Sequence, residues 1–174
     1  PTLEYGTSSE FIWFPEEATF DAYKTIFLDD PMYLTNGQSS IVVGFLNTLW
    51  LTLSTTLIGL FVSGLAAFAY AKLKFRGKNL LFMFMLVTTM IPASVMTIPS
   101  YVFYNAIGWG KGFAALFVPS LFGGAITVFF LRSYMTSIPT ETIEAEKIDG
   151  LGPFGIFCRI IIPLSIPAFV AQFI

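Results

Sequence analysis

Glu141, Glu144, Glu146 and Asp149 form a close-set group of acids, the arrangement from which paired carboxylates do acid–base chemistry when they are held together away from water. Their helical spacing and exposure argue instead for a solvated or docking face. Other routes to catalysis are closed. The sequence has no histidine, which excludes His-based triads and the common zinc sites. Gly110-Lys111 suggests a phosphate loop, but that pattern needs a glycine where Asn105 stands and a Ser or Thr where Gly112 stands. The single cysteine, Cys158, forms no internal disulfide. The chain is not built as an enzyme by itself.

The acids sit in the stretch from Ile138 to Pro163, which reads as two short helices joined at a glycine. Pro139 and Thr140 make a helix start, and Glu141 and Glu144 fall in the first turns, where acids suit the positive end of the helix dipole. Lys147 lies in the last turn, and Gly150 stands where a helix stops in a left-handed residue. Gly152-Pro153 starts a second helix, and Pro163 interrupts the apolar run that follows. Thr142, Ala145 and Ile148 share one face of the first helix. A charged elbow of this kind between apolar runs sits in water and touches something other than lipid.

Composition sets that elbow in a membrane protein. The chain is 55% hydrophobic and 11% charged, where soluble domains carry about a quarter charged residues. No charged residue or histidine occurs from residue 31 to 71, which leaves room for a span of about 20 residues. The reading is an all-α, polytopic membrane protein with spans at about 41–71, 80–104 and 113–131 and the start of a fourth at 164–174. None of the three complete spans holds an ionisable side chain other than tyrosine, so they carry no proton relay of the usual kind. Pro1 is not a methionine and Ile174 falls inside an apolar run, so an internal piece of a longer protein is expected. The near-neutral charge gives no sign of a nucleic-acid partner.

Residues 1–40 carry Glu4, Glu10, Glu16, Glu17, Asp21, Asp29 and Asp30 against Lys24 alone. Within them Phe20, Tyr23 and Phe27 suit either a short amphipathic helix on the membrane surface or a packed loop with buried aromatics. Lys72, Lys74, Arg76 and Lys78 follow the first span without an acid among them. Short basic loops stay in the cytoplasm, so residues 1–40 are expected outside, and the loops 72–79 and 132–163 inside. Arg132 closes the third span on the cytoplasmic side.

Two features within the spans suggest packing or a pathway. Thr55, Gly59, Ser63, Ala67 and Ala71 recur every four residues and form a stripe on which a second helix can approach closely, although small residues are common in spans. Pro92 and Pro99 interrupt the second span, with the uncharged hydroxyls of Ser94, Thr97 and Ser100 around them, and Gly123-Gly124 lies near the centre of the third. Interrupted helices border protein or a water-filled cavity. These residues are candidate pathway lining, the alternative being kinks that adjust packing.

Glu144-Ala145-x-x-x-Asp149-Gly150, followed by Phe157 and Ile162-Pro163, resembles the EAA loop of binding-protein-dependent ABC importer permeases, most closely the carbohydrate-uptake type. Asn47-Thr48, Ala66-Ala67-Phe68-Ala69-Tyr70, Lys74-Phe75-Arg76-Gly77, Ile91-Pro92, Ile98-Pro99-Ser100-Tyr101 and Ile138-Pro139 match that family's usual run, so the resemblance covers about Asn47 to Phe173. It implies a type I importer transmembrane domain of six spans, one before Pro1 and the last after Ile174, in the plasma membrane. It also implies a coupling loop, 138–163, in which Glu144, Ala145, Glu146, Asp149 and Gly150 dock on a cytoplasmic ATPase subunit. Glu146 stands where the family commonly has a second alanine. By the same resemblance the partners are two ATPase subunits, which carry ATP and Mg, a second permease subunit and an extracytoplasmic solute-binding protein, while this chain holds no cofactor or metal itself. A sugar-like solute is expected. The alternatives are an importer for amino acids, peptides or metals, whose permeases share the elbow, and a membrane-embedded enzyme.

Overall fold

A long uncharged run satisfies its backbone in lipid only by closing hydrogen bonds within the segment, which a helix does. In the computed structural model, which describes residues 20–24, 27, 34–35, 38–148 and 150–174, the regular elements from Ser40 onward are all helical. Two units divide the chain, residues 1–50 and 51–174. The first holds α1 (Asp21–Lys24) and a two-stranded hairpin, β1 (Leu34–Thr35) and β2 (Gln38–Ser39), with Leu34 opposite Ser39 and Thr35 opposite Gln38. The aromatic segment is a single helical turn around Phe20 and Tyr23, both exposed with rings 6.2 Å apart, so the packed-loop alternative does not describe these two rings. The rest of the acidic segment lies outside the described residues.

α2 (Ser40–Lys72) begins in the first unit and continues through the second. Its 33 residues rise about 50 Å, more than the ~30 Å hydrocarbon core of a bilayer. It is followed by α3 (Lys78–Thr88), α4 (Ala93–Ala106), α5 (Ala114–Ser120) and α6 (Ala125–Thr136). Among the described residues, α2 and the run Ala114–Thr136 are long and apolar enough to cross a membrane, and two sharply bent helix pairs raise the number to as many as four. The protein is an all-α, polytopic membrane protein.

The second span differs from its expected form. It is not one kinked helix but two helices meeting at 92°. Pro92 is no interior residue: it caps α4 with an extended ψ of 132°, and a proline disfavours helix at the residue before it. Thr88 and Thr89 help end α3 by donating their hydroxyls to the carbonyls of Met85 and Leu86, each at 2.6 Å. Pro99, in contrast, is carried inside α4.

The apolar helical run that follows extends from Ala114 to Thr136, past Arg132. Val128, Leu131 and Met135 are buried along α6, and Ile138 just beyond it, so the apolar stripe does not stop at the charge. Arg132 is taken up locally. Its guanidinium lies 3.8 Å from the centroid of the Phe82 ring, and its Nε donates to the Tyr70 carbonyl at 3.4 Å.

Beyond α6 come α7 (Thr140–Ile148), α8 (Pro153–Ile156), a wide turn over Phe157–Ile161, α9 (Ile162–Leu164) and α10 (Ile166–Phe173). Here the expected loop divides. Its first half is exposed and charged, but its second half belongs to the core, with Ile156, Phe157 and Ile161 fully buried. The Phe157 ring packs on Phe68 at 5.6 Å and on the edge of Phe61 at 5.8 Å, both on α2. Pro163 does not interrupt the helix. The wide turn before it, in which Ile162 donates to the Phe157 carbonyl, takes up the crowding that a proline ring imposes one turn back. The break falls instead at Ser165, just ahead of Pro167, where the axis turns by 74°.

Candidate functional site

The acid group stands on α7, and its geometry is that of a surface. Glu141, Glu144 and Lys147 are exposed and Glu146 half-exposed, with no ion pair or side-chain hydrogen bond to any described residue. Thr142, Ala145 and Ile148 are all open to solvent, Ile148 at 87% exposure. On the opposite side Ile143, only 3% exposed, fastens the helix to the core. Asp149 lies outside the described residues. Gly150 adopts the left-handed φ of 86° expected of it. Its N–H donates to the Lys147 carbonyl at 3.1 Å and that of Leu151 to the Glu146 carbonyl at 3.0 Å, the paired bonds of a Schellman stop. The helix is therefore rigidly ended, and Gly152-Pro153 opens α8.

The basic residues at the end of α2 and the start of α3 make hydrogen bonds as well as carrying charge. Lys72 donates to the carbonyls of Thr136 at 3.3 Å and Ile138 at 2.5 Å, which ties the end of α2 to the end of α6, immediately before α7. Lys78 donates to Leu73 at 3.1 Å and Ala71 at 3.4 Å, over the last carbonyls of α2. Lys74 and Arg76 stay exposed. Sequence reasoning counted these charges without pairing them. The available signal was their position at helix C-termini, where cations meet unpaired carbonyls.

The small-residue stripe and Gly123-Gly124 were separate expectations, and the structure brings them together. A Cβ on Gly59 would stand 2.7 Å from the Ser120 carbonyl oxygen, and one on Gly123 would meet the Ser63 hydroxyl and, at 2.8 Å, the Gly59 carbonyl. Gly123 has a φ of 74°, and the Gly124 N–H donates to Ser63 Oγ at 3.3 Å. Beside this seam opens a cleft of about 360 Å³, lined by hydroxyls on α2, the end of α5 and α6 and by Gln172 of α10, without a charged residue. Pro92, Ser94, Thr97, Pro99 and Ser100 are not part of it. They lie on and before α4, which buries no residue, all exposed except the half-exposed Ser100. Among the described residues no three His, Cys, Asp or Glu side chains gather as a metal site.

Residues 56–174 match the family model described as "Binding-protein-dependent transport system inner membrane component". The chain belongs to that family. Among curated permeases, it is 32% identical to the arabinooligosaccharides transport system permease protein of Bacillus subtilis over 87% of this chain and 53% of that protein. It is 32% identical to the polygalacturonan/rhamnogalacturonan transport system permease protein of the same organism over 96% of this chain and 54% of that one. Identity to the trehalose transport system permease protein of Mycobacterium tuberculosis is also 32%, over 90% and 54%. The chain spans about half the length of the curated relatives it matches. As a member of this permease family it is a multi-pass inner-membrane protein, and the family is one of transport components rather than enzymes. The family match takes in both α7 and nearly all of the cleft.

Proposed function

We propose that this chain is part of a permease subunit of an ATP-driven importer, which forms the membrane pathway for a sugar or sugar-like solute delivered by an extracytoplasmic binding protein. The observation that carries the reading is α7: an exposed face of Thr142, Ala145 and Ile148 on a helix pinned to the core by Ile143 and stopped at Gly150. Such an element passes on rigid motion. Closure of a cytoplasmic ATPase pair, where ATP and Mg are held, pushes α7, and the spans rock between outward and inward access. Residues 1–40 then face outward and the loops 72–79 and 132–163 inward, and a second permease subunit completes the pathway. The sugar assignment is supported by the transport systems named for the relatives above and by the uncharged cleft.

The test is Gly150→Val. Space is open around Gly150, so the substitution strains only its left-handed backbone, by about 1–2 kcal/mol. Membrane insertion and subunit assembly are expected to stay normal while uptake and solute-stimulated ATP hydrolysis by the assembled importer fall together. Full coupling in that variant would overturn the assignment of α7.

A further inference from the structure

Resting on the transport reading, we infer that the uncharged cleft beside the α2 seam is a contact site for a neutral, hydroxyl-rich solute, centred on Thr56, Ser63, Thr127 and Gln172. Size and chemistry agree. The cleft, about 360 Å³, falls in the range of ~300–1,000 Å³ typical of small-molecule sites. Thr56, Thr127 and Gln172 line it with no hydrogen-bond partner among the described residues, so their donors and acceptors are available. Ser63 is fully buried and accepts from the Gly124 N–H, which leaves its own hydrogen without an acceptor. Thr55 and Ser120 give their hydrogens to the carbonyls of Leu51 and Leu116, each at 2.7 Å, and so present lone pairs alone.

That mixture of donors and acceptors suits hydroxyl groups, which do both. No lining side chain can compensate a charge, and a charged solute would give up its hydration unpaid. A lipid acyl chain is equally unsuited, because it would strand these polar groups. The glycines matter by leaving space. Gly59 and Gly123 bring the walls together at backbone distance, so the lining hydroxyls converge on one volume.

The experiment uses the full-length permease assembled with its partner subunits, in a Cys158→Ser background. Thr56→Cys and Thr127→Cys are labelled with a membrane-impermeant maleimide, with Ser94→Cys on α4 as comparator. Trehalose and arabinotriose serve as neutral probes and glucuronate as the charged one. The expected result is labelling of both cleft cysteines, slowed by whichever neutral sugar is transported and not by glucuronate, with Ser94→Cys indifferent. In parallel, Gln172→Leu is expected to raise the KM for sugar uptake about tenfold, the cost of one lost hydrogen bond. Unprotected cleft cysteines in an importer that carries the sugar would overturn this site but not the transport reading. Protection at Ser94→Cys alone would move the contact to α4. An assembled importer that carries neither sugar would overturn the sugar reading and this site with it.

Discussion

Glycine does opposite things at two places in this molecule. At the end of α7, Gly150 has a positive φ and nothing within 4 Å of where a side chain would stand. At the α2 seam, Gly123 has nearly the same φ and no room at all, with Ser63 and the Gly59 carbonyl against it. In the first place glycine sets a direction: it stops a helix whose outer side chains stand exposed. In the second it sets a distance: backbone meets backbone, and a cleft opens beside the contact. The proposed docking element therefore depends on what its side chains present, and the proposed solute site on side chains that are missing.

The sharpest way to break that comparison is to put one side chain in both places. Gly123→Val adds steric overlap with α2 to backbone strain and is expected to cost about 3–5 kcal/mol, read as a steep loss of folded, detergent-stable protein. The same change at Gly150 should leave that yield near wild type. Comparable losses at both positions would end the distinction. A smaller effect is expected from Ile143→Ala, which removes the buried anchor of α7 at about 2–4 kcal/mol. Hydrogen exchange should accelerate across residues 140–148 while the amides of α2 and α6 keep their protection, and uniform acceleration would show that α7 is no separate lever. Smallest in stability is Ile148→Ser, an exposed position where the change should stay within ~0.5 kcal/mol. Its cost should fall on solute-stimulated ATP hydrolysis instead, and unaltered coupling would remove Ile148 from the docking face.

Much of this was legible in the sequence because local chemistry decided it. Thr140, Glu141, Lys147 and Gly150 each carry a helix-end signal that needs no tertiary information, and α7 begins and stops where they say. The four-residue repeat from Thr55 to Ala71 marked the seam face of α2, and Gly123-Gly124 was visible as a weak point in the third span. What could not be read was the pairing of these two features, since nothing in either stretch names the other. The burial of the elbow's second half could not be read for a similar reason. Phe157 to Ile161 follows a charged helix and precedes a proline, and only packing against Phe61, Phe68 and Gly64 makes it core. The helix continues past Arg132 to Thr136, and the ring that receives the Arg132 charge, Phe82, lies on another helix that no local signal names. Pro92 was expected to kink a helix that it in fact separates into two.

Lys72 also has a place in time. Its carbonyl partners lie 64 and 66 residues further along the chain, so when α2 leaves the ribosome the atoms it will bind have not been made. During synthesis its charge acts by itself, and in the proposed orientation it favours keeping that end of α2 on the cytoplasmic side. Once the chain has passed Ile138, the same ammonium can close its bonds and join two spans that entered the bilayer separately. On that proposal orientation and assembly are successive tasks of one side chain, and a neutral residue of equal length at this position would separate them.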